Sequence, residues 1–151
     1  MSVRLSAPAL PERPRTLDLS RLRTRAARVL QAMGHARSEL SIALVSDEEI
    51  AELNSSWRGR RGSTDVLSFS LFEGAHSEHR RAMLGDIVIG LPTAQRQARS
   101  SHRSLDEEVV RLLIHGLLHL LGHDHEKNTE ALVMRSEERR IRRYLRVAEN
   151  R

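Results

Sequence analysis

The amino-acid sequence predicts an α+β fold, a small mixed β-sheet packed with helices, one of them long, buried and bearing metal-binding histidines. Three observations predict it. Short apolar, β-branched stretches near 39–45, 64–70 and 84–90 alternate with segments of helical periodicity, the pattern of a layered fold. Ser46 with Glu49, and Ser104 with Glu107, form two capping boxes that open helices. The stretch 105–121 is apolar nearly all round, as a helix enclosed by other elements must be. The 151 residues are enough for a hydrophobic core without disulfides, so 1–151 is expected to form a single domain.

In chain order, residues 1–6 alternate weakly and form a candidate first strand, and Pro8, Pro11 and Pro14 make 7–16 an extended connector. Across 18–33, Leu19, Leu22, Ala26, Val29, Leu30 and Met33 recur at helical spacing. Arg21, Arg23, Arg25 and Arg28 fall largely on the other side, read as a solvated face, and Gly34 closes the helix. Strand 39–45 precedes a helix that turns Ile50 and Leu53 inward and ends near Trp57. RGRRGS at 58–63 is a basic, glycine-bearing loop, TDVLSFS at 64–70 an alternating strand, and 73–81 a polar loop. LGDIVIG at 84–90 reads as a strand interrupted by Asp86, and Pro92 suits the first turn of a short helix over 92–99. After the long helix comes a charged amphipathic one over 130–144. Its Leu132, Val133, Met134, Ile141 and Leu145 are read as inward, and Glu137–Arg140 and Glu138–Arg142 as surface ion pairs.

Composition removes several functions. There is no cysteine, which excludes disulfides and thiolate metal clusters and suits a cytoplasmic protein. No apolar segment has the length of a signal peptide or a membrane span. The net charge of +5 is carried almost entirely by arginine, Lys127 being the only lysine. Guanidinium forks match phosphates, so the excess is compatible with a nucleic-acid partner, though many such arginines are simply solvated. The few aromatics, Trp57, Phe69, Phe72 and Tyr144, disfavour a base-stacking platform.

Most of the chemistry gathers in HGLLHLLGHDH at 115–125. Residues four apart share a helix face, so His115 and His119 can aim two imidazoles at one metal ion. Gly122 accepts the left-handed conformation that ends a helix, and the turn can bring His125 back to the same point. Three neutral imidazoles leave a fourth tetrahedral position open, the arrangement of a catalytic zinc. Such an ion lowers the pKa of water to about 7 and polarises an anionic electrophile, which suggests hydrolysis.

Other residues are candidates to complete the site. Arg58 can hold a phosphate or stabilise a phosphorane-like transition state, or be an exposed loop arginine. Asp86 is compatible with orienting a ligand histidine, acting as a base, or a strand-end hydrogen bond, and Asp124 with orienting an imidazole or capping the turn. His123 lies within the motif and is expected to be exposed or to meet substrate. His35, His76, His79 and His102 read as surface residues, and Asp65 as a turn or cap. The spacing of His115, His119, Gly122 and His125 matches the skeleton of metalloproteases of the HExxHxxGxxH type. Their general-base glutamate is replaced here by Gly116, so a peptidase ranks second.

Three blocks, LNSSWRGRRGSTDVLSFS at 53–70, LGDIVIG at 84–90 and HGLLHLLGHDH at 115–125, resemble the YbeY endoribonucleases, also described as rRNA maturation factors. The resemblance implies one α+β domain, one zinc ion on His115, His119 and His125, and an active-site arginine at Arg58. It implies a single-strand-specific endoribonuclease acting in small-subunit rRNA processing and ribosome quality control. The implied partners are RNA, namely rRNA and ribosomal particles, with no membrane and no DNA. The family usually carries proline where this chain has Ser63 and Ser70, which loosens the ends of that strand. A metallopeptidase-like hydrolase and a ribosome-associated RNA-binding protein with a structural zinc are the alternatives.

Overall fold

A computed structural model describes residues 2–7, 17–59, 62, 64–70, 83–123 and 127–150. Residues 8–16 of the expected connector, half of the basic loop (60, 61 and 63), the loop at 73–81, and Asp124 and His125 lie outside the described residues.

Among the described residues four strands form one mixed sheet in the order β1-β2-β4-β3. β1 (Ser2–Ser6) and β2 (Glu39–Val45) run parallel, as do β2 and β4 (Met83–Gly90), while β3 (Val66–Ser70) pairs antiparallel with β4 at the edge. The parallel pairs require crossovers. One is supplied by α1 (Leu19–Ala32) and the other passes through α2 (Asp47–Arg58) and β3. Three further helices follow: α3 (Leu91–Ser100), α4 (Leu105–Leu120) and α5 (Asn128–Glu149).

Local signals account for most boundaries. The Asp18 side chain accepts from Arg21 N–H at 3.0 Å and starts α1, which ends at the left-handed Gly34 with His35 N–H donating to Leu30 O at 2.8 Å. Ser46 and Ser104 cap α2 and α4 as the sequence predicts. α2 runs one residue past Trp57 because Gly59 adopts φ +66 and donates to Ser55 O at 3.2 Å, so Arg58 is the last residue of a helix, not part of a loop. β3 extends to Ser70, which pairs with Gly85, so serine there does not shorten the strand.

Alternation along the strands divides the core. Leu40, Ile42, Leu44, Ile87 and Ile89 face one side and pack with α1, α4 and α5 in the main core. Val45, Leu67 and Val88 face the other and pack with Ile50 of α2. α4 is the most enclosed helix, with Val109, Leu113 and Leu117 fully buried, as its composition predicts. Two expectations for α5 are corrected. Met134, Ile141 and Leu145 point inward, but Leu132 and Val133 are 58% and 55% exposed, because the 134–141–145 stripe fixes the phase of the helix and leaves neighbours one and two positions away outside. α1 departs from its expected solvated face at Arg25, which is buried and donates to Glu149 of α5 at 2.6 Å.

The fully buried Glu108 of α4 lies between Arg103 at 3.1 Å and Arg111 at 2.5 Å. Burial pushes its carboxyl up, but the hydrogen bonds and charge of Arg111 and then Arg103 outweigh this and hold it below its ordinary value of 4.5. A lowered carboxyl contributes stability that is present above the ordinary value and is lost as pH falls through the lowered one. Glu108→Gln should therefore cost about 3 kcal/mol at pH 7, by leaving two guanidiniums without their shared carboxylate. Urea unfolding of both proteins should show the difference shrinking toward pH 3; an equal difference at both pH values would contradict this account.

Candidate metal centre

α4 presents His115 and His119 one turn apart, and the Nε2 atoms of the two rings approach to 3.1 Å. The rings stand edge to face, with centroids 4.6 Å apart and planes at 74°. The other nitrogen of His115, Nδ1, lies 3.2 Å from Oε1 of Glu138 on α5. A carboxylate there favours the tautomer with the proton on Nδ1 and leaves the Nε2 lone pair directed at the partner ring, the usual support of a metal-ligating histidine.

The fit to a metal can be tested from this geometry. Two nitrogens each about 2.0–2.1 Å from a tetrahedral zinc lie roughly 3.3 Å apart. The observed separation of 3.1 Å is within a few tenths of that. The donor set, two convergent imidazole nitrogens with a carboxylate behind one of them, therefore suits zinc. Among the described residues no group of three His, Cys, Asp or Glu comes together to hold a metal, and the third expected ligand, His125, lies outside them. What is visible of the turn has the expected form. Gly122 adopts φ +98 and donates to His119 O at 3.0 Å, and His123 N–H donates to Leu118 O at 2.9 Å, closing α4 and reversing the chain. His123 itself is half-buried.

Gly116 has a structural cause. A Cβ at this position would sit 3.1 Å from Val66 Cγ2, 3.2 Å from Ser68 Oγ and 3.3 Å from Ile87 Cδ1. Ser68 Oγ also donates to Gly116 O at 2.7 Å. The residue after His115 thus faces the sheet at close approach, and any side chain there would require Val66, Ser68 and Ile87 to shift by a few tenths of an ångström. The peptidase base is absent from the sequence, and the close packing at this position disfavours a larger residue.

Arg58 lies on the far side of β3. Its Nη2 donates to the carbonyl of Ser68, and its guanidinium sits 5.0 Å from the centre of the Phe69 ring, which Trp57 meets edge-on at 6.4 Å. Ser68 therefore touches both halves of the expected site, Arg58 through its carbonyl and α4 through its hydroxyl. Asp86 is placed differently from one of its sequence readings. It is paired with Phe69 and Ser41, on the sheet face opposite Ile87 and α4, so it does not orient a histidine of that helix. Asp65 accepts from Gln97 at 3.3 Å while its carbonyl accepts from Gly90 N–H, in keeping with a turn residue.

Glu138 is the residue that sequence reasoning missed. It was assigned to an ion pair with Arg142, whereas its carboxylate meets His115. Glu137–Arg140 does form, at 2.7 Å. The signal was available: Glu138 stands four after Met134 and three before Ile141, on the inward stripe of α5, where a carboxylate needs a polar partner.

Comparison with known proteins bears on this geometry. A family model described as Endoribonuclease YbeY matches residues 12–146. The chain belongs to the endoribonuclease YbeY family. The Endoribonuclease YbeY of Anaeromyxobacter sp. strain Fw109-5 is 49% identical over 144 residues, 95% of this chain and 71% of that protein. The one from Anaeromyxobacter dehalogenans is 48% identical over 123 residues, 82% of this chain and 62% of the relative. A solution structure of a Thermotoga maritima protein superposes with a TM-score of 0.61 at 25% identity, covering 95% of this chain and 88% of that one. The function read from the sequence, an endoribonuclease of rRNA maturation and so a hydrolase of phosphodiester bonds, stands on membership of the YbeY family.

Glu138→Ala should weaken zinc binding about 10–100-fold, the range for losing the carboxylate behind a ligand histidine. A competition titration against a chromophoric chelator reads this, with Glu137→Ala as an unaffected neighbour. Equal affinity in both variants would remove Glu138 from the site.

Proposed function

We propose that this YbeY endoribonuclease uses one zinc ion held by His115, His119 and His125, cuts single-stranded RNA, and meets the scissile phosphate with Arg58. The observation that carries the reading is the convergence of His115 and His119 at 3.1 Å with Glu138 behind His115. When bound, zinc supplies Lewis acidity toward a phosphoryl oxygen or a water. The chain's own residues do the rest. Glu138 keeps the His115 proton on Nδ1. Arg58, anchored by one N–H to Ser68 O and lying over Phe69, retains other donors of its fork for phosphate oxygens.

A preference for single strands is supported by Trp57, which is 70% exposed beside Arg58. An indole face can take an unstacked base, which a duplex does not offer. The main core joins β1, β2 and β4 with α1, α3, α4 and α5, which supports reading 1–151 as one domain. No helix among the described residues is long and apolar enough to cross a membrane. The cytoplasm, where rRNA is processed, is the compartment this function needs, with rRNA and ribosomal particles as partners.

The test compares metal-free and zinc-loaded protein on single-stranded RNA, duplex RNA and casein. His119→Ala should lose both bound zinc and RNA cleavage. Arg58→Ala should keep zinc and lose about 10²–10³-fold in cleavage, the usual effect of removing one transition-state donor. Full zinc occupancy in His119→Ala would overturn the ligand set, and casein cleavage without RNA cleavage would restore the peptidase.

A further inference from the structure

A cavity of about 540 Å³ lies along α4 and α5, on a different side of α4 from the face that Gly116 presses against the sheet. Val110, Ile114 and Leu145 form its apolar floor, and seven arginines against two glutamates line it. These arginines are not equivalent. Arg103 and Arg111 are engaged by the buried Glu108, and Arg25 by Glu149. Arg139, Arg142, Arg143 and Arg146 of α5 are exposed, and none has a carboxylate within 4.0 Å among the described residues.

Solvated surface arginines are the ordinary explanation of such a set. Two features weigh against it here. Positions 139, 142, 143 and 146 fall at helical spacings of three and four, so four like charges share one face and repel one another. They also surround a recess rather than a convex surface, which focuses their field on one strip of solvent. The recess has a definite direction too. Glu138 of α5 meets His115 of α4, and the later α5 residues Leu145, Arg146 and Glu149 line the recess together with Glu107 and Val110 from the first half of α4, so the recess runs back along α4 from the histidines. Arg111 is one turn from His115, Arg142 is one turn from Glu138, and Glu107, toward the far end of the recess, lies about 12 Å along α4 from His115.

We infer that this arginine-lined recess binds the backbone phosphates of the RNA strand as it leaves the histidine site. The inference rests on the reading of that site as the place where RNA is cut. Guanidinium forks pair bidentately with phosphate oxygens and carry no sequence information, so the recess sets affinity and register, not cleavage specificity. An acidic polypeptide offers similar charge, but Arg111 and Arg142 of the recess stand one helical turn from His115 and Glu138, and that nearness to the proposed cutting site favours RNA.

The test is the double substitution Arg142→Ala and Arg146→Ala, both at exposed positions without ion pairs, in zinc-loaded protein. Binding of a fluorescent single-stranded RNA is measured at low temperature, before cleavage begins, over a series of salt concentrations. The variant should bind at least about 10-fold more weakly at 0.1 M salt. The slope of log affinity against log salt should fall in magnitude by about 1.4, the share of two phosphate contacts on a single strand. The double lysine variant should keep most of that slope, and thermal unfolding should not change. Wild-type affinity and slope in the alanine variant, with RNA still cleaved, would overturn the recess and leave the function standing. No RNA cleavage by the wild-type protein would instead remove the functional reading itself, and the recess with it. Retained RNA binding with lost binding of polyglutamate would assign the recess to an acidic polypeptide and overturn the inference.

Discussion

Close approach of α4 to the strands is the constraint on which the other features depend. At Gly116 the helix has no side chain, and Val66, Ser68 and Ile87 come within 3.1–3.3 Å of where a Cβ would sit. At Gly85 the sheet makes the corresponding concession: a Cβ there would lie 2.9 Å from Leu120 and 2.2 Å from the carbonyl of Phe69. Two glycines thus bring a helix and a sheet together beyond the usual limit of side-chain packing, and the Ser68 hydroxyl fastens them by its bond to Gly116 O. With α4 fixed against the sheet along one face, the rotation of the helix is set, and His115 and His119 have no choice of direction.

The same helix carries two carboxylate contacts across otherwise apolar surroundings. Glu108 holds Arg103 and Arg111, and Glu138 of α5 holds His115. The first keeps cationic groups fixed near the N-terminal end of α4, and the second orients a ligand near its C-terminal end. Arg111 links them, since both Glu108 and Glu138 raise its already high pKa, with the Glu108 hydrogen bond the largest cause. The histidine pair and the arginines of the recess therefore share one support.

The parts legible in the sequence were those decided locally. Capping boxes at Ser46 and Ser104, the left-handed glycines at 34 and 122, and strand alternation depend on a few neighbouring residues, and those elements lie where the sequence puts them. The histidine pair was legible for the same reason, because one helical turn relates its members. Features that the sequence left open or misplaced depend on docking. Asp86 needed the strand register to reveal its face, Glu138 needed the position of α5, and Leu132 and Val133 needed the phase that Met134 and Ile141 impose. Gly116 shows in the sequence only as a position without a carboxylate, and its tight packing against Val66, Ser68 and Ile87 became visible only with the sheet in place.

The central claim is that α4 and Glu138 preset His115 and His119 to bind one cation through their Nε2 atoms. Nitrogen-15 NMR of the histidine side chains during zinc titration at fixed pH tests this most directly. The account predicts that His115 carries its proton on Nδ1 before zinc is added and that the Nε2 signals of His115 and His119 shift together, saturating at one equivalent. A His115 proton on Nε2 in the metal-free protein, or a shift of one histidine without the other, would contradict it.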